Sequence, residues 1–457
     1  MVLGGTAVSI GPVLSRGEMA LLHEPDTYLD GPPLAELARL RRRHGVVWID
    51  EPEAGGERGT GYWLVLRHAD VERVLREPAT FSSALGGTQI RDPASAADLG
   101  FVRRMMLNMD PPEHSRLRRL VSASFTPRAV AAISERIREH ARALVTRMLE
   151  GPRECDFARD VAADLPLLAL AEVLGVPPED RMLLFDWSNR VIGWQDPDYM
   201  ASAAFEIDSG TALARRALAS RPAPDEAGRM PDPRSRSGMA DLYEYAHLLA
   251  EHKRSDPGGD VMSILLAQPD ETISTEEFEN LFWLFAVAGN ETLRNGIPGG
   301  MSALLTHPGQ QRTLRAEPGL LDSAVEEMLR WWTPVMVFRR TATRDVELAD
   351  ARIRAGDKVV VSFLSANRDE SVFADPDPDA FDVRRPAGRH LVFGHGPHFC
   401  LGALFARTQM RALFGELLAR TSWLEPAGEP DLLRSNFQRG VKHLPLRWST
   451  APASTRG

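Results

Sequence analysis

The stretch His390-Leu-Val-Phe-Gly-His-Gly-Pro-His-Phe-Cys-Leu-Gly-Ala-Leu-Phe-Ala-Arg407 sets a lone cysteine between a glycine-rich turn and an apolar helical run. Gly394 and Gly396 allow turn conformations closed to other residues and leave room for a flat group against the backbone. The run after Cys400 predicts a helix start, whose unpaired N–H groups and positive dipole end favour an ionised sulfur.

A thiolate held by backbone donors, with Phe393 on one side and Leu401 on the other, suits an axial ligand of haem iron better than a nucleophile. The pattern Phe393-Gly394-x-Gly396-x-His398-x-Cys400-x-Gly402 resembles the haem-binding loop of the cytochromes P450 position for position. That resemblance implies a mainly α fold with a smaller β region: a triangular helical body, a long central oxygen-binding helix and a small sheet on the N-terminal side. It also implies haem b, iron protoporphyrin IX, with Cys400 as the metal ligand and Phe393, Gly394, His398 and Gly402 around the cofactor.

The bulk properties fit. The chain has 457 residues, 43% of them hydrophobic and 26% charged, as expected of a globular protein with a large core. No repeat and no Pro/Gly linker divides it, so residues 1–457 read as a single domain. A net charge of -9 gives no basic face for nucleic acid. No run of 18 apolar residues and no signal pattern appears, so neither a membrane anchor nor export is expected. With Cys155 the only other cysteine, a reducing cytoplasm fits best; a monomer is expected as well.

Taken in order, a helix over Pro33–His44 and strands at 46–49 and 62–66 predict a small sheet beside the helical body. Residues 81–101 read as a loop, which by resemblance roofs the substrate pocket. After Pro111-Pro112, His114 and Arg118 fall four apart on one helical face, two groups suited to two haem propionates. The resemblance implies the same role for them and for Arg340. Helices are expected over Pro127–Glu150, Val161–Leu174 and Pro178–Ile192. Residues 200–237 look like an insertion in the lid region, with a mobile Pro/Arg/Ser tail that either shapes substrate entry, docks a partner or does nothing.

From a Ser274 cap a long apolar helix runs to Ala288-Gly289-Asn290-Glu291-Thr292, with Leu281, Phe285, Ala288 and Thr292 assigned to one face. Gly289 opens a gap, and Thr292 can bond back to an upstream carbonyl. By resemblance Ala288 and Gly289 form an oxygen groove, and Thr292 and Glu291 deliver protons. Pro298 is expected to kink or shorten this helix. Glu327-x-x-Arg330, completed by Arg384 or Arg385, is implied to be scaffolding, with Arg385 the expected third member. Val335, Met336, Val337, Phe285 and Phe437 are the expected pocket residues, Phe437 at the tip of a hairpin over 435–444. Residues 450–457 read as a disordered tail.

The implied activity is insertion of one oxygen atom of O2 into a hydrophobic small molecule, by hydroxylation. Members with similar motifs oxidise sterols, methyl-branched lipids or terpenoids. No flavin or iron–sulfur module is visible, so electrons are expected from a separate ferredoxin and ferredoxin reductase. Arg116, Arg119, Arg128, Arg407 and Arg411 are expected to form a basic docking patch. The alternative is a haem-thiolate protein that binds or senses without turnover, although Thr292 and Glu291 favour the enzyme. A cysteine hydrolase is disfavoured, because His395 and His398 share one tight turn with Cys400.

Overall fold

The structure, a computed structural model, describes residue 12 and residues 14–51, 59–93, 95–192, 195–200, 210–226, 230–267 and 273–450. Ser274 starts the central helix by a reciprocal cap: its hydroxyl accepts from Glu277 N–H at 3.1 Å, and its own N–H donates to Glu277 Oε2 at 2.9 Å. The helix covers Thr275–Ala288, and every side chain from Phe278 to Val287 is buried. A second helix, Glu291–Thr306, continues after the two-residue break Gly289–Asn290.

Pro298 does not end this element. The break falls nine residues earlier, and the helix runs through Pro298 to Thr306. Packing explains the difference. Gly299 lies so close to Trp332 that a Cβ there would sit 2.1 Å from its ring, and Gly300 abuts Met328. Contact with the Leu321–Trp332 helix along this face outweighs the one hydrogen bond a proline removes.

Around this axis, Pro127–Glu150 packs against the Ala403–Arg420 helix that follows Cys400. The five-stranded sheet lies to one side in the spatial order Val46–Ile49, Tyr62–Val65, Lys358–Ser362, Val337–Ala342 and Phe81–Ser82. Only the pair Tyr62–Val65 with Lys358–Ser362 is parallel; the register puts Arg340 opposite Val359. The architecture is therefore mainly helical with small sheets, as expected. Two details differ: residues 96–102 are a short helix capped by Ser95, and residues 158–162 form a π-helical turn before Asp164–Leu174.

The insertion is tied to the body where it is described. Thr211 bonds Asp180 through both N–H and hydroxyl, Ala214 and Ala217 are buried, and Arg221 pairs with buried Asp186 at 3.2 Å. The tail expected to be mobile is packed at Arg234 and Ser235, the latter 5% exposed, because Arg234 binds Asp232 and donates to the Arg91 carbonyl. Residues 201–209 and 227–229 of this insertion, and 451–457 of the expected disordered tail, lie outside the described residues.

Candidate active site

The cysteine loop folds on its own backbone. Cys400 N–H donates to Phe393 O at 2.9 Å and Phe399 N–H to Gly396 O at 3.0 Å. Gly394 and Gly396 both have positive φ, 69° and 68°. At Gly396 a Cβ would also meet the Leu75 carbonyl oxygen at 2.6 Å, so this glycine serves contact with a neighbouring helix as well as the turn.

Cys400 is exposed toward an opening yet set deep among protein atoms. That depth pushes its thiol pKa up. The Gly402 N–H and the Arg118 and Arg407 guanidiniums act the other way without reversing it. The expected thiolate preference is thus corrected for the protein alone: the helix begins only at Ala403, and burial outweighs its donors. Iron coordination would deprotonate the sulfur outright.

Basic groups converge on the same loop. The His114 and His398 rings lie 4.1 Å apart, Arg118 donates to the Phe399 carbonyl, and Ser83 Oγ pairs with His398 Nε2 at 3.2 Å. Burial, then Arg118 and Arg340, lowers His114 to about 4. Burial, then Arg340, His114 and Arg118, lowers His398 to about 2. Arg340, 3% exposed, is itself brought down to about 10 by burial, with Asp110 opposing. His114 Nδ1 is buried with no hydrogen-bond partner. The two guanidiniums, buried Arg340 and half-buried Arg118, together with the neutral donor His114, exceed what the one carboxylate Asp110 can satisfy, so the cluster fits a cofactor presenting carboxylates.

A cavity of about 110 Å³, partly open to solvent, adjoins the break in the central helix. Ala288, Thr292, Val335 and Phe437 border it, and Thr292 Oγ1 donates to Ala288 O at 3.1 Å. A Cβ at Gly289 would lie 2.7 Å from Phe285 O and 2.8 Å from Leu170 Cδ1, so the break admits no larger residue without movement. Cys400, His114, Arg118 and Arg340 lie outside these walls. The strand Val337–Ala342 links the two regions: Phe338 borders the cavity and Arg340, two residues on, shares its face.

Four expected residues are placed otherwise. Phe285 turns from the cavity to pack on Phe125, Met336 is buried beneath the sheet, and Val337 packs between core clusters. The cavity face of the helix is instead Trp283, Leu284, Val287 and Ala288. A helix apolar on every side carries no periodic signal for which face meets a ligand. Glu291 does not border the cavity. It is fully buried and bonded to Arg294 at 3.0 Å and Asn295 Nδ2 at 3.1 Å, one helical step away from Thr292.

The sequence reading also missed Phe338 and Gln438. Alternation with Arg340 could have flagged the former, and a place beside Phe437 at the hairpin tip the latter. The insertion contributes Arg234 to the cavity wall.

Glu327 receives Arg330 through two bonds, at 2.6 and 2.8 Å, and Arg385 at 3.1 Å; exposed Arg384 pairs with Glu317 instead. The expected basic patch is weaker than anticipated. Arg116 pairs with Glu277, Arg407 with Glu326 and Arg411 with Asp322, so at least three of its five charges are matched.

Among known proteins, the cytochrome P450 family model matches residues 245–446. The chain is 36% identical over 434 residues to the steroid C26-monooxygenase of Rhodococcus jostii, covering 94% of this chain and 84% of that one. It is 37% identical over 419 residues to the methyl-branched lipid omega-hydroxylase of Mycobacterium bovis, covering 90% of each. The solved cytochrome P450 CYP268A2 of Mycobacterium marinum, in complex with pseudoionone, superposes with a TM-score of 0.80 at 31% identity, over 96% of this chain and 100% of that one. Full-length similarity at this level, on a fold that joins a cysteine loop to a helix broken beside an apolar cavity, makes the chain a member of the cytochrome P450 family, a haem-using monooxygenase that takes a small-molecule substrate and redox partners.

Proposed function

We propose that this monooxygenase hydroxylates a hydrocarbon-rich molecule of the sterol, methyl-branched lipid or terpenoid kind, using haem b held by Cys400. The observation carrying this is the mostly apolar cavity wall that reaches from Phe338 and Phe437 to Ala288 and Thr292. The names of the steroid and methyl-branched lipid relatives and the pseudoionone complex support the same substrate range.

In this reading Cys400 ligates iron, while the propionates are received by the guanidiniums of Arg118 and Arg340 and by neutral His114, whose unpartnered ring nitrogen offers a hydrogen bond. The group so held supplies oxygen activation. The chain supplies the rest. Trp283, Leu284, Val287 and Phe437 orient the substrate by shape and exclude water. Thr292, whose hydroxyl proton is engaged by Ala288 O, offers its oxygen lone pairs to the cavity and so accepts and passes protons there. Glu291, held by Arg294, reaches this path only through a change of partner.

Electrons come from a separate ferredoxin and reductase. The enzyme works as one monomeric, cytoplasmic domain; among the described residues no helix is long and apolar enough to cross a membrane. The test is the reduced carbon monoxide spectrum of the haem-loaded protein. The wild type should give the thiolate-ligated band and Cys400→Ala should lose it; a retained band in the variant would overturn the ligand assignment. Spectral titration with terpenes, sterols and branched fatty acids then identifies the substrate class.

A further inference from the structure

Gln438 is 2% exposed and borders the cavity at the hairpin tip. Its position is fixed from both sides. Val335 bridges to it across the backbone, and Ser435 Oγ accepts the N–H groups of Phe437 and Gln438, both at 3.1 Å. Ser435 in turn donates to Gln195 Oε1 at 3.0 Å.

The orientation of its amide follows from charge. Glu291, ion-paired with Arg294, is an acceptor only, so the Asn295 atom 3.1 Å from it must be the donor Nδ2. The same Nδ2 donates at 2.9 Å to Gln438, whose facing atom must therefore be the acceptor Oε1. Turning Asn295 over would set oxygen against carboxylate. Its present orientation holds even though Asn295 Oδ1 is left buried without a partner. Gln438 Nε2 is thus directed away from Asn295, has no hydrogen-bond partner among the described residues, and belongs to a side chain on the cavity wall.

We infer that Gln438 Nε2 is a fixed hydrogen-bond donor for the substrate, which is an apolar molecule carrying a hydrogen-bond-accepting oxygen such as a ketone, ester or hydroxyl. Glu291, Arg294 and Asn295 act as positioning residues for that donor. A donor facing the cavity that no protein group satisfies loses its water when a ligand binds, and so discriminates against ligands that leave it unsatisfied. This deepens the proposed function and rests on the same cavity being the substrate site.

The test uses the haem-loaded full chain and two ligand pairs differing by one oxygen: cholestenone against cholestene, and phytone against norpristane. Binding is read by calorimetry, which does not depend on the spectrum of Cys400. The wild type should bind at least one ketone about tenfold tighter than its hydrocarbon partner. Gln438→Leu should abolish that preference while hydrocarbon affinity holds or rises, and Asn295→Leu should reduce it by freeing the amide to turn. Equal affinities within both pairs, failure of all four ligands to bind, or an undiminished preference in Gln438→Leu would overturn the inference. Loss of the thiolate-ligated spectrum in the wild type would instead overturn the proposed function.

Discussion

Arg407 Nη2 donates to Glu326 Oε2 at 2.8 Å while its guanidinium lies 4.3 Å from the Phe393 ring. A residue placed by sequence in a docking patch thus braces the cysteine loop against the Leu321–Trp332 helix. Burial opposes ionisation of Glu326, but hydrogen bonds from Arg407 and His390 win and hold its carboxyl at about 2, against 4.5 ordinarily. The folded state therefore binds the proton more weakly than the unfolded one. The stabilisation is complete above about pH 4.5 and is lost as the pH falls toward 2. Urea unfolding across this window should show the loss in the wild type and a flatter profile in Glu326→Gln, with about 1 kcal/mol lost at pH 7.

Thr292→Ala should uncouple the enzyme. Removing the Thr292 hydroxyl, which joins the helix break to the cavity, should leave electron consumption largely intact while product per electron pair falls severalfold and peroxide appears. Thr292→Ser should restore coupling. Tight coupling in the alanine variant would remove the proton-passing role.

Gly299 and Gly296 sit on one helix with opposite tolerance. A Cβ at Gly299 would be 2.1 Å from the Trp332 ring, whereas at Gly296 the nearest atom, Pro334 Cγ, is at 3.4 Å. Gly299→Ala should cost about 3 kcal/mol or more in chemical unfolding. Gly296→Ala should be near neutral, since about 1 kcal/mol of helix propensity offsets a tight contact.

Arg385→Ala removes one of two guanidiniums on the fully buried Glu327 and should cost about 3 kcal/mol, with weaker haem retention. Arg384→Ala, one position earlier and paired on the surface, should leave the unfolding midpoint almost unchanged. Equal effects would mean that the buried network is not what holds this segment.

Much of this protein was legible locally. The Ser274 cap, the Pro127–Glu150 helix and the turn before Cys400 appear where sequence places them, because each depends on atoms within about four residues. The small sheet was legible as strands, though not as an order that brings Val337–Ala342 between Lys358–Ser362 and Phe81–Ser82. Helix phase was not legible. Phe285 and Leu284 are equally apolar, and only the surrounding helices turn one toward Phe125 and the other toward the cavity.

Sequence alone determined the cysteine loop, the helix that follows it and the candidate haem contacts, since their residue types and spacings leave few local conformations open. Tertiary structure decided what those residues face. It chose Arg385 over Arg384 for Glu327, set Glu291 against Arg294 and Asn295, and matched three arginines of the expected patch with carboxylates. It also turned Gln438 toward the cavity through an amide 143 positions away. The reason is physical: a charge or a buried amide takes its partner from whatever the packing of distant segments brings within about 3 Å, and no local pattern encodes that distance.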